Sequence, residues 1–254
     1  MAITIKSERE IELMAEAGKI LERVHNELEK ALRPGMSTKD IDTLGEEIIR
    51  SYGCIPSFLN YNGYPASICV SVNQEVVHGI PDKHRIIQEG DIVSLDAGVI
   101  YKGYHSDAAR THAVGEVSEE AKKLIQVTKE SFFEGIKFAK AGNHLFDISG
   151  AIGRYAEERG YGVVRDLCGH GIGTALHEVP EIPNYEVGRK GVRLRPGMTL
   201  AIEPMINIGT HEVDWLDDDW TVVTRDGSLS AHYENTILIT EGEPRILSLT
   251  CENE

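Results

Sequence analysis

The chain has 254 residues, enough for one large domain or two closely joined halves around a substantial core. Its 41% hydrophobic and 26% charged content is that of a soluble globular protein. A net charge of −15 argues against a general nucleic-acid surface, which needs a basic footprint, while leaving room for a local basic patch.

The opening stretch, MAITIKSEREIELMAEAGKI, is amphipathic and has no continuous apolar centre, so it is not a secretory signal. No later run reaches the length of a membrane-spanning helix. Ser7-x-x-Glu10 is a capping-box pattern, and Ile11, Met14, Leu21, Val24 and Leu28 follow it at helical spacing. A second helix starts at Ser37 or Thr38 and ends at Gly53. Next, SLDAGVIYKGYHSDAARTHAVG (Ser94 to Gly115) reads as two strands joined near Lys102-Gly103. With Tyr101-Lys102 as the central turn residues, Asp96 falls directly opposite Asp107; a three-residue loop would shift that register by one. Like charges placed opposite each other repel, so either the pair faces water or a cation lies between them.

Ser118 opens a third helix, carrying Leu124, Val127 and Ile136 and ending near Gly142, and a fourth runs from about Phe146 to Gly160. The four cysteines, Cys54, Cys69, Cys168 and Cys251, are scattered and form no C-x-x-C, as expected of reduced, mostly buried thiols in a cytosolic protein.

The layout repeats. One constant spacing carries Gly35 to Gly142, Asp40 to Asp147, Ile41 to Ile148, Gly53 to Gly160, Gly90 to Gly197 and Asp96 to Glu203. His78-Gly-Ile-Pro81 resembles His177-Glu-Val-Pro180 at a different spacing, which unequal loops explain. No low-complexity linker intervenes, so a single domain over 1–254 is expected, with halves of approximately 8–115 and 116–248 and a site between them.

Glu203 stands alone in the apolar run Leu200-Ala-Ile-Glu-Pro-Met-Ile206, and Glu234 precedes the apolar Ile237-Leu-Ile239. His170 sits between Gly169 and Gly171, where missing side chains permit close approach. This glycine-rich stretch fits neither G-x-G-x-x-G nor a P-loop, since residue 174 is Thr and no Lys-Ser/Thr follows. His177-Glu178 does not continue as H-E-x-x-H, and no G-x-S-x-G is present. What remains is four carboxylates and one imidazole: Asp96, Asp107, His170, Glu203 and Glu234. Four unpaired carboxylates could not share a dry pocket, whereas two divalent cations would neutralise them, polarise a carbonyl and generate hydroxide near neutral pH. An oxygen-rich set with one imidazole suits manganese, iron or cobalt at least as well as zinc.

The ordered motifs LDAG, SDAART, GHGIG, HE.P, AIEP and YE.T, spread over nearly the whole chain, resemble those of the methionine aminopeptidases, in the short bacterial (type I) form. The resemblance implies the α/β pita-bread (creatinase/aminopeptidase) fold, with two pseudo-symmetric halves, an antiparallel sheet and outer helices. It implies a dinuclear metal site on Asp96, Asp107, His170, Glu203 and Glu234, with Glu203 as general base toward a metal-bridging water. His177 would donate to the scissile carbonyl and the developing oxyanion, and His78 would lie near the leaving nitrogen and assist its protonation. Tyr61, Tyr64, Cys69 and Trp220, with Phe58 at the rim, would hold the methionine side chain. Leu176 and Phe58 depart from the Phe and Cys that some relatives carry there, which bears on pocket shape and not on the metal set. The implied function is cytoplasmic removal of the N-terminal methionine of nascent polypeptides with a small second residue. A monomer is expected, with transient ribosome association, no direct nucleic-acid contact and no membrane. The alternatives are an Xaa-Pro-directed aminopeptidase or prolidase of the same fold, and a metal-free binding protein on that fold, which would be expected to have lost ligands.

Overall fold

In the computed structural model, which describes residues 2–249, the first two helices begin by the same device. The Ser7 hydroxyl accepts from the Glu10 N–H while the Glu10 carboxylate accepts from the Ser7 N–H, starting α1 (Glu8–Ala31). Ser37 and Asp40 repeat the exchange at the start of α2 (Thr38–Ser51). Met14, Leu21, Val24 and Leu28 form the buried stripe of α1, as their spacing predicts.

The third helix, α3 (Glu119–Ile136), starts at Ser118 but stops short of Gly142. Beyond Ile136 the chain takes tight turns, with the N–H groups of Phe138 and Ala139 bonded to the carbonyls of Gly135 and Ile136, and Ala139 is buried by that route. The fourth, α4 (Leu145–Glu157), likewise ends before Gly160, whose φ of +84° serves the turn that follows.

The long hairpin comprises the strands Ile92–Tyr101 and Tyr104–Ala113. Its turn is Lys102-Gly103, at φ +48° and +87°, so Tyr101 pairs with Tyr104. This corrects the predicted register. A two-residue turn of this kind needs left-handed backbone at both central positions, which suits Lys-Gly far better than Tyr-Lys. Asp96 therefore pairs with Ala109 and Asp107 with Gly98, making the aspartates diagonal neighbours on one face rather than direct opposites.

From this hairpin a nine-stranded sheet extends both ways through antiparallel pairs. Ile68–Val72 lies beyond the 92–101 strand. On the other side, the 104–113 strand meets Glu234–Leu238, then Thr199–Ile202, then Gly169–Gly171 and finally Glu178–Ile182. Two helices cover each flank. The first two enclose Val70, Val93, Leu95 and Val99 of the hairpin side, and Phe132, Ile148 and Ile152 of α3 and α4 pack against Leu200, Ile202 and Ile237. The result is the expected α/β fold of antiparallel sheet and outer helices.

Cys54 and Cys69 are buried and Cys168 is half-buried, all three as free thiols; Cys251 lies outside the described residues. Among the described residues no helix is long and apolar enough to cross a membrane.

Candidate active site

Neighbouring strands deliver the five predicted ligands to one cavity. Asp96 and Asp107 come from the hairpin, Glu234 opens the strand paired with its second arm, Glu203 follows the 199–202 strand, and His170 lies beside Ala201. The glycines around His170 make its placement possible. A Cβ on Gly169 would stand 2.4 Å from the Ala201 carbonyl oxygen, and one on Gly171 2.3 Å from that of Val179. The pairing with the 178–182 strand also slips between His170 and Gly171, a bulge that re-aims the imidazole.

The His170 Nδ1 lies 2.9 Å from the Gly171 carbonyl, which can only accept, so Nδ1 carries the proton and Nε2 offers its lone pair. That Nε2 lies 3.6 Å from Glu203 Oε1 and 3.9 Å from Asp107 Oδ2. Burial, then the nearness of the His177 imidazole, lowers the His170 pKa to about 3, so the ring is neutral and these contacts are not ion pairs. The carboxylates move the opposite way. Burial raises Asp96, Asp107, Glu203 and Glu234 above the usual carboxylate range, and their mutual repulsion adds to this for the last three. Asp96 Oδ1, Asp107 Oδ1 and Glu234 Oε1 are buried with no hydrogen-bond partner among the described residues.

Orphaned carboxylate oxygens beside a neutral imidazole are the donor set of a divalent cation site. One atom each from Asp107, His170 and Glu234 lie within 4.8 Å of one another, which suits a shared ion.

The structure adds His232, which no sequence motif marks. Its Nε2 lies 3.8 Å from Glu234 Oε2 and 3.9 Å from Glu203 Oε2. The available signal was its place two residues before Glu234, the spacing that puts side chains on one face of extended chain.

Away from the acidic group and its neighbouring histidines the cavity wall is mostly aromatic and apolar, with Asn62 as a polar exception. Phe58, Tyr61, Tyr64, Cys69 and Trp220 all line it, as predicted, and Leu176 joins them. Tyr64 and Trp220 meet edge to face at 5.1 Å between centroids. The Asp218 carboxylate accepts from the N–H groups of Trp220 and Thr221 and so holds the loop that presents the indole.

Two histidines flank the acidic group. His177 Nδ1 lies 2.8 Å from the Tyr61 hydroxyl, and its ring meets that of His170 edge-on at 4.2 Å. His78 adopts φ +59°, an uncommon conformation for a side-chain-bearing residue. Burial, then the nearness of the His177 imidazole, lowers His78 to about 4, and burial lowers His177 as well.

The profile of metallopeptidase family M24 matches residues 12–241. The methionine aminopeptidase of Clostridium acetobutylicum is 58% identical over 250 residues, covering 98% of this chain and all of that protein. Methionine aminopeptidase 1 of Bacillus subtilis is 52% identical over 239 residues, 94% of this chain and 96% of that one. The solved methionine aminopeptidase of Thermotoga maritima superposes with a TM-score of 0.96 at 47% identity, covering 98% of this chain and 100% of that chain. An Xaa-Pro dipeptidase from Bacillus anthracis reaches a TM-score of 0.78 at 27% identity, with 97% of this chain covered but 62% of that one. Cavity, acidic donor set and these likenesses agree: the chain belongs to metallopeptidase family M24, among its methionine aminopeptidases.

Proposed function

We propose that the protein is a metal-dependent hydrolase that removes the N-terminal methionine of peptides and nascent polypeptides whose second residue is small. The observation that carries this reading is one cavity with an aromatic, apolar end and a buried acidic end. An unbranched thioether fits among Tyr61, Tyr64, Cys69 and Trp220, where sulfur–aromatic contacts are favourable, with Phe58 and Leu176 shaping the remaining wall.

Asp96, Asp107, His170, Glu203 and Glu234 would hold the divalent ions, two in this reading and drawn from manganese, iron, cobalt or zinc. When bound, such ions supply Lewis-acid polarisation of the scissile carbonyl and acidify the attacking water. The chain's own groups do the remainder. Glu203 takes the proton of the water on its carboxylate and returns it to the departing amine. With the Tyr61 hydroxyl donating to His177 Nδ1, Nε2 of the neutral ring carries the proton and donates to the carbonyl oxygen as negative charge develops there. His78, held neutral by burial, orients the leaving nitrogen through a hydrogen bond rather than as an imidazolium acid.

The described cysteines are free thiols, in keeping with a reducing cytoplasm, and a substrate that emerges during synthesis supports transient contact with the ribosome. Strand order supports two related halves within one domain: it reads alike outward from the contact between the 104–113 and 234–238 strands.

The test is hydrolysis of Met-Ala-Ser by chelator-stripped protein titrated with manganese, cobalt or iron, beside an Xaa-Pro peptide series. Metal-dependent release of free methionine with Xaa-Pro peptides untouched is expected. Cleavage of the Xaa-Pro series in preference would move the chain to the prolidase side of the family. No release by folded, metal-loaded protein would end the peptidase reading.

A further inference from the structure

We propose that His232 is a direct ligand of the metal centre, giving the acidic site a second imidazole beside His170. The inference rests on the metal-dependent reading above and goes beyond its ligand set.

Geometry carries it. Donor atoms of Asp96, His232 and Glu234 all lie within 4.8 Å of one another, as do those of Asp107, His170 and Glu234. The two triads share Glu234, and each consists of two carboxylates and one imidazole. Without His232, the Asp96 side of the centre would be ligated by carboxylates alone.

The ring is also placed as a ligand rather than as packing. His232 is 2% exposed, and neither ring nitrogen has a hydrogen-bond partner among the described residues. A buried imidazole left unpaired is costly, and it persists where another interaction compensates for it. A Glu203 oxygen and a Glu234 oxygen stand 3.9 and 3.8 Å from Nε2, too far for hydrogen bonds and a natural separation for two donors about one ion. The backbone fixes the position from both sides. The Thr111 hydroxyl accepts from the His232 N–H at 2.9 Å and donates to its carbonyl at 2.9 Å, while His232 pairs with Met205 in a small side sheet. The ring thus reaches the site without the freedom of a loop residue. Imidazole in place of a further oxygen donor should favour iron, cobalt or zinc over manganese at this position.

Two measurements on the full chain test the idea. First, calorimetric titration of chelator-stripped wild type and His232→Gln with Co2+, with folding of each checked by circular dichroism, reads the affinity of each equivalent. One equivalent is expected to weaken at least tenfold in the variant, a loss no smaller than that caused by disturbing groups behind the ligands. Second, a crystal structure of Co2+-loaded wild type, needing no variant, should place an ion roughly 2.1 Å from His232 Nε2, a metal–imidazole bond length. An ion seated on Asp96 and Glu234 but beyond bonding distance of His232 overturns the proposal and leaves the peptidase reading intact. Unchanged affinities in a folded His232→Gln protein overturn it equally. Wild type that binds no Co2+ at all would instead remove the metal-dependent reading, and this proposal with it.

Discussion

Tyr61 and His177 show how one hydroxyl can set the chemistry of a ring. A neutral imidazole has a single N–H; in the proposed mechanism the Tyr61 hydroxyl, 2.8 Å from Nδ1, donates to it, which leaves that proton on Nε2 to face the carbonyl of the substrate. Removing His177 by substitution with Ala should lower kcat roughly 10²–10³-fold, the usual cost of one oxyanion donor. Tyr61→Phe keeps the ring in the apolar wall and removes only the hydroxyl, so kcat should fall about threefold to tenfold with KM nearly unchanged. In the His177→Ala background the same Tyr61 change should cost almost nothing further, because its effect runs through the missing ring. Steady-state rates for the two single variants and the double variant check this, and an additive double variant would show that Tyr61 acts on substrate alone. The sequence makes this pair half legible. The motif around His177 singles it out, but a contact across so many residues is not written in any local pattern. His232 escapes the sequence for a related reason: a histidine two residues before a glutamate reads as ordinary strand chemistry until the fold brings both beside Asp96 and Glu203.

The His170 strand owes its position to two absent side chains. Gly171 lets the Val179 carbonyl come within 2.3 Å of where a Cβ would sit, and Gly169 does the same for the Ala201 carbonyl. Because the obstacles are backbone atoms of paired strands, Gly171→Ala cannot be accommodated by a rotamer change; the strands must separate. Overpacking of this sort costs roughly 1–3 kcal/mol, or about 2–12 °C in Tm for a chain of this size. The shift also moves His170 away from Glu203 and Asp107, so metal affinity should fall along with Tm. A thermal melt of the metal-free variant and a titration with Co2+ separate the two effects. Wild-type affinity in a variant of lowered Tm would mean that the strand holds His170 less tightly than the packing implies. At this scale the sequence conveys element types better than their ends. Capping residues marked the helix starts at Ser7, Ser37 and Ser118 because the side chain and backbone that bond lie three residues apart. Helix ends were overrun to Gly142 and Gly160, since those glycines serve turns beyond the last helical residue. The hairpin register slipped because the turn was centred one residue early, on Tyr101-Lys102, which moved the pairing by two positions.

Across the whole molecule, strands from both sides of the sheet converge on four carboxylates in a chain that already carries a net charge of −15. The metal-free protein therefore folds against its own electrostatics. Burial, joined by mutual repulsion at Asp107, Glu203 and Glu234, raises the site carboxylates above the values, about 3.9 for Asp and 4.3 for Glu, that they take in the unfolded chain. Between those unfolded values and the raised folded ones, the native state holds protons that the unfolded state has released. Stability from this source is complete below pH 4 and is lost as pH climbs through the folded pKa values. Metal-free protein should accordingly melt at lower temperature at pH 8 than at pH 6, the reverse of what acid-sensitive ion pairs produce. Divalent ions replace those protons, so their binding releases acid and strengthens with pH. At a free ion concentration one hundred times Kd, binding to the native state alone adds about 2.7 kcal/mol, or roughly 5–11 °C in Tm. That increment, measured at fixed free Co2+ in buffered melts, should grow from pH 6 to pH 8. Asp107→Asn removes one repelling charge at the centre of the group, and it should raise the metal-free Tm at pH 8 while reducing the gain from added metal. A metal-free Tm that rises from pH 6 to pH 8, with Asp107→Asn less stable than wild type at pH 8, would mean that the carboxylates are neutralised from within the chain and that the site does not depend on a cation for its charge balance.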